Sequence, residues 1–168
     1  TMTGAKPVSV HALGARLSES IAEDMYNYGQ LQVKFEDGSI GWYEAGWGPM
    51  MSETAYFIKD VIGPGGSVSI SDMASSESQN VAEHTKTSQL RLHFSETKSS
   101  GEFAKKDEYI NTDDEPDHDA LCLLEQQYLL RAIVEDINLE EHQSAAVNSL
   151  KIALAADESF RTGKLVSF

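Results

Sequence analysis

At 168 residues the chain is long enough for one domain with a real hydrophobic core. Its 27 acidic residues against 13 basic ones leave a net charge of -14, a field that repels phosphate backbones and anionic lipid surfaces, so nucleic acid and membrane are not expected partners. No apolar run approaches the roughly 20 residues that span a bilayer, and the start, Thr1 to Pro7, lacks the apolar stretch of a signal peptide.

A single cysteine, Cys122, leaves no internal disulfide and suits a reducing cytoplasm. A start at Thr1 rather than Met is what a piece of a longer chain would show.

Alternation over residues 8–17 predicts a first strand, with Val8, Val10, Ala12 and Gly14 set against Ser9, His11 and Leu13. Residues 18–24 form a polar connection, and residues 25–35 and 39–47 read as the second and third strands. Between them Asp37-Gly38 is the strongest local signal, because both centres of a type I′ turn need positive φ and these residues tolerate it best. That turn would pair Phe35 with Ile40, Val33 with Trp42 and Leu31 with Glu44. One face then carries Leu31, Val33, Phe35, Ile40 and Trp42 as core. The other carries Tyr28, Gln30, Gln32, Lys34, Tyr43 and Trp47. The second face is polar but rich in aromatics. It reads either as a solvated face or as a subunit interface, for which Gln30, Gln32 and Tyr43 are candidates.

Residues 54–62 and 67–71 read as further strands joined by Gly63-Pro64-Gly65-Gly66, residues 75–86 as a loop, and residues 89–94 as a strand. Residues 95–107 are irregular, and the acidic stretch 111–119 leads into helices. The first helix covers about 117–135, with Leu121, Leu124, Tyr128 and Ala132 at helical spacing. The second begins near Asn138, with Glu141 completing a capping box. Ala145, Ala146, Ser149, Ile152, Ala153 and Ala156 give it a narrow stripe of small residues suited to close packing on a sheet, and Gly163 ends it. The expected class is α+β: a large open, mainly antiparallel sheet with helices on one face, as one domain over residues 1–168.

No catalytic set can be assembled. Gly63-Pro64-Gly65-Gly66 precedes a β-rich run rather than a helix, so it reads as a hairpin turn and not a phosphate loop. His11, His84, His93, His118 and His142 make no pair spaced for a metal. The acidic run 113–119 lacks the central glycine of a calcium loop and reads as a solvated helix N-terminus. Cys122, between Leu121 and Leu123, reads as a buried structural thiol. No metal and no catalytic residue is expected on this chain.

The alanine-rich stretch from Ala145 through Ser159, followed by Thr162-Gly163-Lys164 and Val166, resembles the C-terminal end of the Gfo/Idh/MocA oxidoreductases. Residues 29–41 are similar to that family's sheet hairpin, and Ile62-Gly-Pro-Gly-Gly-Ser-Val68 to the turn after it. Residues 124–133 resemble its penultimate helix, and residues 3–10 the opening of its sheet domain. The order and spacing of these loose matches carry the resemblance over nearly the whole chain.

The resemblance implies the family's C-terminal sheet domain, a glyceraldehyde-3-phosphate-dehydrogenase-like fold that supplies substrate-pocket walls and an oligomer interface. An N-terminal Rossmann domain, absent here, would bind NAD or NADP. The family's glycine fingerprint and its catalytic Lys and His motifs lie upstream of what matches Thr1, so neither catalytic residue carries over. The parent would act on a sugar or polyol and form a homo-oligomer, a dimer through the open sheet face. Tyr28 and Trp47 are candidate substrate-pocket walls, since aromatic faces take the apolar side of sugar rings. Glu44, a carboxylate beside Leu31 in the register above, and His93, in a late strand, are further candidates. The rival expectation is an interaction module that dimerises through the same face.

Overall fold

The computed structural model describes residues 4–46, 60–70 and 89–168. Along the chain these form β1 (Pro7–Ala15), β2 (Tyr28–Phe35), β3 (Ile40–Gly46), β4 (Asp60–Gly63), β5 (Gly66–Ile70), β6 (Gln89–Phe94), β7 (Glu108–Asn111), α1 (His118–Val134), α2 (Glu140–Thr162) and β8 (Val166–Ser167). Among the described residues all strand pairing is antiparallel, and the α+β class follows. Among the described residues the expected large sheet is seen as two four-stranded sheets, ordered β3-β2-β1-β8 and β4-β5-β6-β7. The chain divides into two compact units: Thr1–Met51 with Glu135–Phe168, and Ser52–Val134. Most of the expected strand over 54–62 and the expected loop over 75–86 lie outside the described residues.

In the first unit β1 is central and its inward positions are small or branched. Val10 and Ala12 meet Val33 of β2 and Ala155 and Ala156 of α2, with Leu31, Phe35, Ile152 and Val166 around them. The alanines let α2 lie close on the strand. Of the expected stripe Ala145, Ile152 and Ala156 turn inward, whereas Ala146, Ser149 and Ala153 are exposed; Ala155 and the fully buried Ser159 replace them. The inward line therefore follows Ala145, Ile152, Ala155, Ala156 and Ser159.

Ser159 closes a gap in the sheet. β8 pairs with only Ser9 and Val10 of β1, which leaves Ala12 without a strand partner on that side. The Ser159 hydroxyl accepts the Ala12 N–H at 2.9 Å and donates to the Lys164 carbonyl at 2.6 Å. A buried amide with no acceptor would cost about 1–3 kcal/mol.

The β2–β3 hairpin forms where Asp37-Gly38 predicts it, but in a different turn and register. Gly38 takes φ of 85° while Asp37 does not enter the positive region. The bonds are Gly38 N–H to Phe35 O and Phe35 N–H to Ser39 O, both at 3.0 Å. This is a three-residue loop with a glycine bulge, not a two-residue type I′ turn. Asp37 Oδ1 stabilises it by accepting the Ser39 amide at 2.9 Å and the Ser39 hydroxyl at 2.6 Å. Lys34 therefore faces Ile40, Gln32 faces Trp42, Leu31 faces Tyr43 and Gln30 faces Glu44. The one-residue shift moves every β3 side chain to the opposite face. Trp42 and Ile40 leave the core face, and Tyr43 joins it.

At its ends α2 departs from the expected capping box: Asn138 Oδ1 accepts the Glu140 amide at 2.8 Å, and Leu139 occupies the cap position without a side-chain cap bond. Gly163 closes the helix at φ 66°, its N–H on Ser159 O, as expected.

In the second unit Gly63-Pro64-Gly65-Gly66 is the expected hairpin turn, pairing β4 with β5. Gly66 has φ of 143°, and a Cβ there would stand 1.9 Å from the His93 carbonyl oxygen, so no other residue fits. β6 has the bounds read from sequence, whereas the four-residue β7 was not anticipated. α1 starts on Asp117, whose Oδ1 accepts the Ala120 amide at 2.9 Å. Its apolar stripe stays open: Ala132 is buried, but Leu121 and Leu124 are exposed.

Candidate functional site

Three groups of side chains in the described residues carry chemistry. The first lies on the sheet face turned away from α2. Strand alternation puts His11 and Leu13 of β1, Tyr28, Gln30 and Gln32 of β2, and Trp42 and Glu44 of β3 on that face. Glu44 is not the stray carboxylate of the core face that the two-residue turn implied. It stands opposite Gln30 and accepts the Tyr28 hydroxyl, while Gln30 Nε2 donates to the same hydroxyl at 2.8 Å. The Glu44 bond holds the Tyr28 phenol above its ordinary range, because the phenolate would face a carboxylate with no proton between them. Around this network Leu13 is 63% exposed, Ile40 77% and Trp42 51%, which makes an apolar patch rimmed by amides. Of the expected interface residues Gln30 and Gln32 lie here, Tyr43 lies on the opposite face, and Trp42 takes its place.

The second group is a cavity of about 220 Å³ on the helix-facing side of the same unit. Its walls include Leu31, Tyr26, Tyr43, Ala156 and Phe160, with Tyr28 contributing as well. The Tyr26 and Phe160 rings meet at 4.3 Å between centroids. The Tyr26 hydroxyl points to Asp157 at 3.4 Å, and Asp157 holds Arg161 at 2.8 Å. Burial first, then the Asp157 charge, raises the Tyr26 phenol; Arg161 beside Asp157 lowers that carboxyl. Sequence reasoning missed Tyr26 and Phe160, which lie 134 positions apart and meet only through the docking of α2.

The third group is in the second unit. His93 Nδ1 lies 2.8 Å from Asp107 Oδ1, and Arg91 Nε lies 2.7 Å from Asp107 Oδ2. The His93 bond, followed by the Arg91 charge, holds the Asp107 carboxyl below its ordinary range. The edge of the His93 ring meets the Phe103 ring at 4.6 Å and 90°. Tyr28 and Glu44 are thus brought together by the structure, His93 belongs to a separate set, and Trp47 lies outside the described residues.

Cys122 is exposed rather than buried, with its Sγ 3.7 Å from His118 Nε2. Among the described residues no group of three or more His, Cys, Asp or Glu side chains could hold a metal ion. Nor do they fit a dinucleotide: the glycine-rich turn 63–66 joins two strands, and the helices open on Asp119 and on Glu140 and Glu141, which repel a pyrophosphate. No helix among the described residues is long and apolar enough to cross a membrane.

No protein-family model matches the sequence, and no curated protein does. Solved structures share the fold. The chain aligns over 99% of its length with 43% of the aldose–aldose oxidoreductase of Caulobacter crescentus, at 17% identity and a TM-score of 0.64. A similar match covers 99% of the chain and 42% of an oxidoreductase from Thermotoga maritima, at 16% identity and a TM-score of 0.59. The WlbA dehydrogenase of Bordetella pertussis, solved with NADH and UDP-GlcNAcA, matches 97% of the chain over 42% of its own, at 15% identity and a TM-score of 0.55. The chain therefore spans less than half the length of the structures it matches. The fold is that of Gfo/Idh/MocA-type oxidoreductases, as the sequence resemblance implied.

Proposed function

We propose that this chain is the substrate-side and assembly domain, over residues 1–168, of a cytoplasmic NAD(P)-dependent oxidoreductase that acts on a sugar or polyol. The observation that carries the reading is the alignment of 99% of the chain with 43% of an aldose–aldose oxidoreductase. The nicotinamide and the catalytic groups would then belong to an upstream Rossmann domain, and this domain would contribute walls. Tyr28, Glu44, Trp47 and His93 are the candidate contacts with substrate. The division of labour is tested by titrating NADH into the isolated chain and into a protein that carries the upstream domain. Saturable binding to the second alone is expected; tight binding to the isolated chain overturns the reading.

The open face of β1–β3 supports a two-fold contact with a second copy through Leu13, Gln30, Gln32, Trp42 and the Tyr28–Glu44 pair. Light scattering should find a dimer, and Trp42→Glu a monomer. A wild-type monomer at high concentration sinks this contact. The same exposed patch favours a second reading, an interaction module without catalysis. The coding sequence upstream separates the two: a G-x-G-x-x-G after a strand supports the enzyme, and a start codon at this position supports the module.

A further inference from the structure

We infer that one face of the β4–β7 sheet holds a carboxylate-binding site for a small polyhydroxy acid, built from Arg91, His93, Ser67 and Ser69 over Asp107. The ladder places these groups side by side. Ser67 pairs with His93 and Ser69 with Arg91, so the four side chains leave the sheet on one face at the roughly 5 Å spacing of cross-strand neighbours. Asp107 enters from the segment before β7 and spends both oxygens on the pair.

What remains free on each partner defines the chemistry. Arg91 meets Asp107 through Nε at 2.7 Å and keeps its side chain 45% exposed, so its two terminal nitrogens can meet a ligand. Those nitrogens form a fork that matches a carboxylate. A carboxylate can only accept, so His93 donates through Nδ1–H and presents Nε2 as an acceptor, suited to a ligand hydroxyl. The serine hydroxyls can donate or accept. Phe103 packs against the imidazole and is itself 56% exposed, an apolar wall for a carbon chain. Asp60 lies beyond Ser69 on the same face, and the chain carries a net charge of -14. Both disfavour a phosphate dianion relative to a carboxylate monoanion. A network that served only to tie the 95–107 segment to β6 would not need a half-exposed guanidinium beside a partly exposed imidazole on one sheet face.

The site shares His93 with the reading above but is tested apart from it, because binding is read on this chain with no cofactor present. D-gluconate, sorbitol and inorganic phosphate are each titrated into the wild-type chain at constant ionic strength, following the Arg91 Nε–H and His93 ring signals by nitrogen-15 NMR. Gluconate should give saturable shifts, with sorbitol and phosphate about tenfold weaker or silent. Arg91→Lys keeps the charge but loses the fork and should weaken gluconate about tenfold; Ser69→Ala, which leaves the Asp107 network intact, should weaken it less. The proposal is overturned if sorbitol or phosphate matches gluconate. It is equally overturned if gluconate shifts nothing, or if folded Arg91→Lys and Ser69→Ala chains bind it as the wild type does.

Discussion

Both helices show an inward-facing stripe in the sequence, yet they behave differently in the fold. α2 lies on β1 through Ala155, Ala156 and Ser159, each buried, and its outer side keeps Val147, Leu150 and Leu154 in the open. α1 buries Ala132 and leaves Leu121, Leu124, Leu130 and Ile133 exposed. Periodicity specifies a helix with an apolar side; it does not specify what covers that side. The small residues of α2 added the missing information, because a stripe of alanine and serine is useful only against a surface close by.

The largest expected effect tests that closeness. Ala156→Leu should destabilise the chain by about 3 kcal/mol in urea unfolding, since the added carbons have no space between α2 and β1. A neutral result would mean the helix is free to move off the strand. Ser159→Ala comes next, at about 2 kcal/mol, because it strips the Ala12 amide and the Lys164 carbonyl of their shared partner. On α1 the corresponding change, Leu130→Ala, should cost less than about 0.5 kcal/mol in the isolated chain; a loss as large as that in α2 would erase the contrast.

The smallest effect concerns pH. Asp107 has a lowered folded pKa, so its contribution is full above the unfolded value of 3.8 and fades as pH falls toward the folded one. His93→Gln should move the Asp107 carboxyl back up, as read from its carbon-13 shift. No movement would mean that the His93 bond does not hold the carboxylate.

Much of the fold was legible because local signals and long-range pairing agreed. The bounds of β6, the 63–66 turn, the Gly163 stop and the extent of α1 all follow from patterns within a few residues. The β2–β3 register failed at a point of near balance. Asp-Gly suits a type I′ turn, but Asp37 can also bond to Ser39, and that bond selects the longer loop. From this single residue followed the misplacement of Trp42, Tyr43 and Glu44. β7 was missed because Glu108-Tyr-Ile-Asn111 is too short for alternation to register. The Asp107 network and the Tyr26–Phe160 contact were illegible for a different reason: their partners come from separate elements, and spacing along the chain carries no trace of them.

The Ser159 bridge and the β1–β8 pairing bring the beginning of the chain against its end, with Ser52–Val134 inserted between the halves of the first unit. During synthesis β1 leaves the ribosome well before Ser159 and β8, which supply hydrogen bonds to its edge. The described strands of the inserted unit, β4 to β7, are available well before them. The first unit therefore holds an unfinished edge on β1 until Ser159 and β8 have emerged.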